Sequence, residues 1–219
     1  MARVTKKDRR LSIGEEIANS VTHGAGLVAS IAGLVVLVAA AARRGDAWII
    51  TSCAIYASTL VLLYAASTLY HSLAATRARH VFQIIDHSAI YLLIAGSYTP
   101  FALVNLRGPW GWSLLVIVWV LAAAGVTAKA VFGPRWPMVS TVLYIAMGWT
   151  AVVAIKPMLL HVAPAGIAWL VAGGLAYTGG VVFFALDRMR YNHALWHLFV
   201  LGGSVCHFVA VLFYVVPSA

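Results

Sequence analysis

Seven stretches of about twenty or more predominantly apolar residues run through this chain and leave little between them. They extend roughly from Val21 to Ala42, Ala47 to Leu73, Val81 to Val104, Trp110 to Val131, Met138 to Leu160, Gly166 to Leu186 and His193 to Val216. A helix needs roughly 20 such residues to cross the hydrocarbon of a bilayer. Apolar runs of this length cannot be solvated as strands or loops in lipid, so they read as helices. The expected fold is all-α, a seven-transmembrane helical bundle. Composition agrees: 63% of residues are apolar and 10% charged, against about 45–50% and about 25% in soluble domains. A soluble globular protein, a disordered chain and a collagen-like repeat are excluded, and two cysteines are too few for a disulfide scaffold. Seven spans of about 22 residues leave loops and tails from the 219 residues and no room for a second folded domain. The expected organisation is a short basic tail and interfacial segment over 1–20, followed by one seven-helix domain over 21–219.

The first apolar run is longer than the core of a signal peptide, so it is read as a retained helix. Net charge is +9. The basic residues lie in short loops, where they act as topology signals rather than a nucleic-acid surface. Arg3, Lys6, Lys7, Arg9, Arg10, Arg77, Arg79, Lys129, Arg135, Arg188 and Arg190 fall on one side. Arg43, Arg44, Arg107 and Lys156 fall on the other. The richer side is cytoplasmic by the positive-inside rule. That gives a cytoplasmic N-terminus, an outer C-terminus and a multi-pass protein of the cell membrane. Trp48, Trp110, Trp112, Trp136, Tyr191 and Tyr214 gather near span ends as an interfacial aromatic belt would.

Gly173, Gly174, Gly179 and Gly180 allow close helix approach in the sixth span. Pro100 is expected to distort the third. Ser12 to Thr22 reads as a short helix in the inner interface, and Cys53 and Cys206 as buried thiols within spans.

Ionisable groups inside a bilayer are costly unless they face a partner or a cavity, so they carry the functional information. Among six carboxylates only Asp86 lies inside an apolar run. His71 ends the second span, and His193 and His197 open the seventh. Residues i and i+4 share a helix face about 5–6 Å apart, so His193 and His197 can address one ion, and Ser67 shares a face with His71. Alternating span direction then places His71, Asp86, His193 and His197 in one membrane layer near the cytoplasmic side. Three imidazoles with an open fourth position are a ligand set for catalytic zinc, though other imidazole-binding ions fit as well. The bland alternative is a histidine pair that hydrogen-bonds across helices. Ser67 has a bland reading too, a bond to its own helix backbone. His23 reads as interfacial, or as support for the ligands; it can share a helix side with Glu16. His207 lies too far along the seventh span to join the ion and reads as buried and structural. His87 points a quarter turn from Asp86, and His80 and His161 read as solvated.

The stretches Glu15-Glu16-Ile17-Ala18-Asn19-Ser20-Val21-Thr22-His23-Gly24, Ser67-x3-His71, Asp86-x10-Ser97 and His193-x3-His197 with His207 resemble the bacterial hemolysin III proteins. These belong to the progestin and adipoQ receptor family, which includes the adiponectin receptors. The resemblance covers about Glu15 to Tyr214. It implies seven membrane helices, an intracellular N-terminus and zinc (Zn2+) near the cytoplasmic side on His71, His193 and His197, with Asp86 and Ser67 beside it. The wider superfamily includes alkaline ceramidases, which implies hydrolysis of a lipid amide. Only a short basic tail precedes Glu15, a departure from the adiponectin receptors.

The leading expectation is a zinc-dependent hydrolase of lipid amides or esters. Asp86 serves as general base, Ser67 positions water or stabilises the developing oxyanion, and membrane lipids are the partners. Two alternatives stand beside it. One is a channel or cytolysin, for which the outer half offers only Thr51, Ser52, Thr99 and Asn105 as main polar residues. The other is a sensor or regulator with structural zinc.

Overall fold

The structure is a computed structural model that describes residues 11–186 and 188–216. Residues 1–10, with their basic residues and Asp8, and Asp187 lie outside the described residues. Helix α1 covers Ile13–Ala42, α2 Ala47–Ser72, α3 Arg79–Pro100, α4 Pro109–Phe132, α5 Pro137–Gly148, α6 Ile155–His161, α7 Pro164–Ala185 and α8 Asn192–Tyr214. Seven of these segments are long and apolar enough to cross a membrane, with α5 and α6 sharing the fifth. The described residues are 86% helical, with no strand among them. Large apolar side chains such as Val28, Val120, Val153 and Leu160 face outward, as lipid permits and water would not.

The helices form a ring. Helix α1 packs against α2 and α8, α2 against α3, α3 against α4, and α7 against α8, while α5 and α6 touch α3, α4 and α7 sparsely. Because successive spans alternate in direction, the start of α1, the end of α2, the start of α3, the end of α4 and the start of α8 share one end of the bundle.

Three local features of the helices have physical causes. Ser12 to Thr22 is no separate helix. The Ser12 hydroxyl caps Glu15 N–H and the Glu15 carboxylate bonds back to Ser12 N–H, so α1 starts at Ile13 and runs unbroken into the membrane. The other Glu15 oxygen accepts the Tyr191 N–H at 3.1 Å, which ties the start of α1 to the start of α8. Pro100 is followed by a π turn over Phe101–Asn105, the expected distortion. The fifth span, expected as one helix, breaks at Gly148 into a 3₁₀ stretch over Trp149–Ala154. Tyr98 repairs that break: its hydroxyl donates to the Gly148 carbonyl at 2.5 Å and accepts the Ala151 N–H at 2.9 Å. Two further expectations need correction. Cys206 is only half-buried, unlike Cys53. His80 and His161 are exposed, but they sit in helix ends rather than loops.

Candidate metal centre and lipid cavity

At the shared end, α2 and α8 bring His71, His193 and His197 together. One ring nitrogen of each lies within 4.8 Å of the others. The ring centroids are 5.1 Å apart for His71 and His193, 5.2 Å for His71 and His197, and 4.6 Å for His193 and His197. Nitrogens at about 2.0–2.1 Å from a tetrahedral ion sit about 3.3 Å apart, so small ring movements suffice to grip one.

The first helix sets which nitrogen each ring presents. Nδ1 of His71 lies 2.7 Å from Glu16 Oε2. A carboxylate only accepts, so in the neutral imidazole the proton is on Nδ1 and Nε2 carries the lone pair. That Nε2 is buried and has no hydrogen-bond partner among the described residues. Glu16 is held in turn by Arg79, whose Nη2 donates to Oε1 at 2.6 Å while Nη1 bonds the Ala74 carbonyl. His197 is treated likewise. Its Nδ1 faces the Asn19 carbonyl at 3.3 Å and the Thr22 hydroxyl at 3.2 Å. Thr22 donates its own proton to the Ala18 carbonyl, so it accepts from His197. Both rings therefore offer Nε2. An imidazole whose distal N–H is held by a carboxylate or carbonyl is the usual arrangement around a bound metal. A lone-pair nitrogen left orphaned in a buried site fits a cation, and the donor set suits zinc.

His23 corrects the interfacial reading. It is 4% exposed, and its ring stacks on His197 at 3.4 Å between centroids and 11° between planes. Asp86 and Ser67 are both buried and stand side by side within hydrogen-bonding reach, and among the described residues no backbone carbonyl accepts from the Ser67 hydroxyl. Its bland reading as a backbone-bonded serine therefore fails here. Both residues border a cavity of about 260 Å³ that also meets His23, His193, His197 and Lys129. The cavity runs on between Leu93, Ile94, Leu170 and Trp149 toward His207. His207 is half-buried there, 3.3 Å from the Leu170 carbonyl and away from the cluster, as its spacing predicts.

The family model described as "Haemolysin-III related" matches residues 11–208. The chain is 47% identical to "Hemolysin-3" of Bacillus cereus over 218 residues, 99% of this chain and 100% of that protein. It is 47% identical to the "Hemolysin-3 homolog" of Bacillus subtilis (strain 168) over 205 residues, 94% of this chain and 96% of that one. A more distant relative is the human "Monocyte to macrophage differentiation factor", 30% identical over 210 residues, 93% of this chain and 86% of that protein.

The chain belongs to the haemolysin III family. The resemblance read from the motifs is borne out, and with it a multi-pass membrane protein. Of the residues expected at this haemolysin III site, His71, His193 and His197 meet at one point, and Asp86 and Ser67 border the same cavity. Sequence reasoning gave no contact role to Glu16, Asn19, Thr22 or Arg79. Their signal was present: Glu16, Asn19 and His23 recur at helical spacing on one face of α1, all buried.

Proposed function

We propose that this haemolysin III family protein is a membrane-embedded, zinc-dependent hydrolase of lipid amides or esters. The observation that carries the reading is a cluster of three imidazoles, two of which, His193 and His197, border the same mostly apolar cavity as a buried carboxylate and its neighbouring hydroxyl. His71, His193 and His197 would hold the ion. A bound zinc supplies a Lewis acid that makes water nucleophilic at neutral pH. Asp86 accepts the proton that the attacking water gives up. Ser67 donates a hydrogen bond to the substrate oxygen as charge develops there. Glu16 and Asn19 keep His71 and His197 in the tautomers that offer Nε2. The apolar walls accept the acyl chain, which enters from the hydrocarbon between helices, and they keep bulk water from the reacting carbonyl.

The relatives' name favours a lytic reading, which would need a polar path across the bundle. Three of the four main outer-half polar residues are spent otherwise. Asn105 donates to the carbonyl of Tyr214, Thr99 bonds the Ala95 carbonyl and Trp119, and Ser52 bonds the Ile49 carbonyl. The hydrolase reading is tested by metal analysis of the purified protein together with turnover of labelled lipid amides. The expected result is about one zinc per chain, as a three-histidine site demands, and a loss of at least about 100-fold in turnover for Asp86→Asn, the scale of removing a general base. Unchanged turnover in Asp86→Asn would remove the general-base role, and a metal-free wild type would remove the reading.

A further inference from the structure

The charged group closest to the histidine cluster on α1 is answered by the protein itself. Glu16 has His71 and Arg79. Lys129, in the last turn of α4, does not. The residue is 3% exposed, and among the described residues no hydrogen bond or ion pair reaches its ammonium. A lysine near the end of a membrane helix ordinarily stretches outward to the headgroups. Lys129 instead borders the same cavity as Asp86, His87, His193 and His197. The Ser140 and Thr141 hydroxyls beside it bond carbonyls of their own helix, at Trp136 and Pro137, and so do not neutralise it. A buried, uncompensated cation is costly unless an anion joins it.

We propose that Lys129 is the counter-ion for an anionic headgroup, a carboxylate or a phosphate, on a single-chain amphiphile seated in this cavity. The volume of about 260 Å³, near the lower end of small-molecule sites at about 300–1,000 Å³, suits one chain rather than two. The apolar walls that continue beyond Leu93 and Ile94 take its tail. This names the headgroup class for the hydrolase reading and rests on that reading only for its catalytic meaning. The binding itself is a separate claim.

The test measures binding of chain-matched probes that contain no amide or ester: laurate, dodecyl phosphate and dodecanol. Calorimetry is run on the purified full chain in an uncharged detergent, for the wild type, Lys129→Met and Lys129→Arg. The wild type is expected to bind at least one anionic probe about tenfold or more tighter than dodecanol, the difference between laurate and dodecyl phosphate telling carboxylate from phosphate. Lys129→Met loses that preference by about tenfold, and Lys129→Arg keeps most of it, because only the charge is retained. Where Lys129→Met does not fold, Lys129→Gln makes the same comparison. Equal binding of all three probes by the wild type, or an undiminished anionic preference without the ammonium, would overturn the proposal. An anionic preference that depends on Lys129 in a protein that hydrolyses no lipid would uphold it and remove the hydrolase reading alone.

Discussion

A buried histidine serves a cation only when its proton sits on the far nitrogen, and Glu16 arranges this for His71 at 2.7 Å. Glu16→Gln keeps the shape but leaves a neutral acceptor in place of a charged one, which weakens a charge-assisted bond. It also removes the charged partner of Arg79. Metal affinity is expected to fall about 10- to 100-fold, the usual consequence of losing an outer-shell orienter, with helicity by circular dichroism unchanged. Competition against a chromophoric chelator measures it, and wild-type affinity would show that the carboxylate does not tune the ligand. The same residues mark how far the sequence could be read. His71, Asp86, His193 and His197 stood out because ionisable groups are rare within apolar runs. Glu16 and Asn19 did not, because they precede the run, and Thr22, at its start, is not ionisable. A helix beginning with Glu15 and Glu16 reads as amphipathic and surface-bound until the neighbours that bury it are known. His23 was discounted for the same reason, although it lies against His197.

At the level of the helix, α1 owes its place against α2 to a close approach that Gly26 permits. A Cβ built on Gly26 would lie 2.6 Å from the Tyr64 ring and 2.8 Å from Leu201. Tyr64 cannot retreat easily, because its hydroxyl is fixed to Ser204 at 2.7 Å. Gly26→Ala is therefore expected to destabilise the protein by about 1–3 kcal/mol through overpacking. Gly24→Ala, two residues away and 3.8 Å from the nearest atom of Thr68, should be neutral or slightly stabilising, since alanine is the better helix former. Thermal unfolding followed by circular dichroism compares the two, and equal midpoints would place the α1–α2 contact elsewhere. The elements were legible to this depth. Apolar length located all seven spans, and Pro100 announced the π turn that follows it. The break in the fifth span was not legible: Gly148 alone is tolerated within helices, and the hydroxyl that stabilises the break comes from Tyr98 on another span.

For the whole molecule, the consequential quantity is which side of the membrane the histidine cluster faces. Alternation of the spans sets His71, His193 and His197 at the end that carries Arg77, Arg135, Arg188 and Arg190, and Arg43, Arg44 and Arg107 at the opposite end. If the positive-inside rule governs this chain, the cluster opens toward the cytoplasmic leaflet and a lipid reaches it from that leaflet. Arg77 and Arg43 are both exposed, at opposite ends of α2. In a Cys53→Ala, Cys206→Ala background, Arg43→Cys should react with a membrane-impermeant maleimide on intact cells, and Arg77→Cys only after the membrane is opened. A permeant maleimide should label both, which shows that each thiol is reachable. The reverse pattern would turn the bundle over. The cavity beside Lys129 would then draw on the outer leaflet, and the lipids to try as substrates would change with it, while the geometry of the cluster would stay as it is.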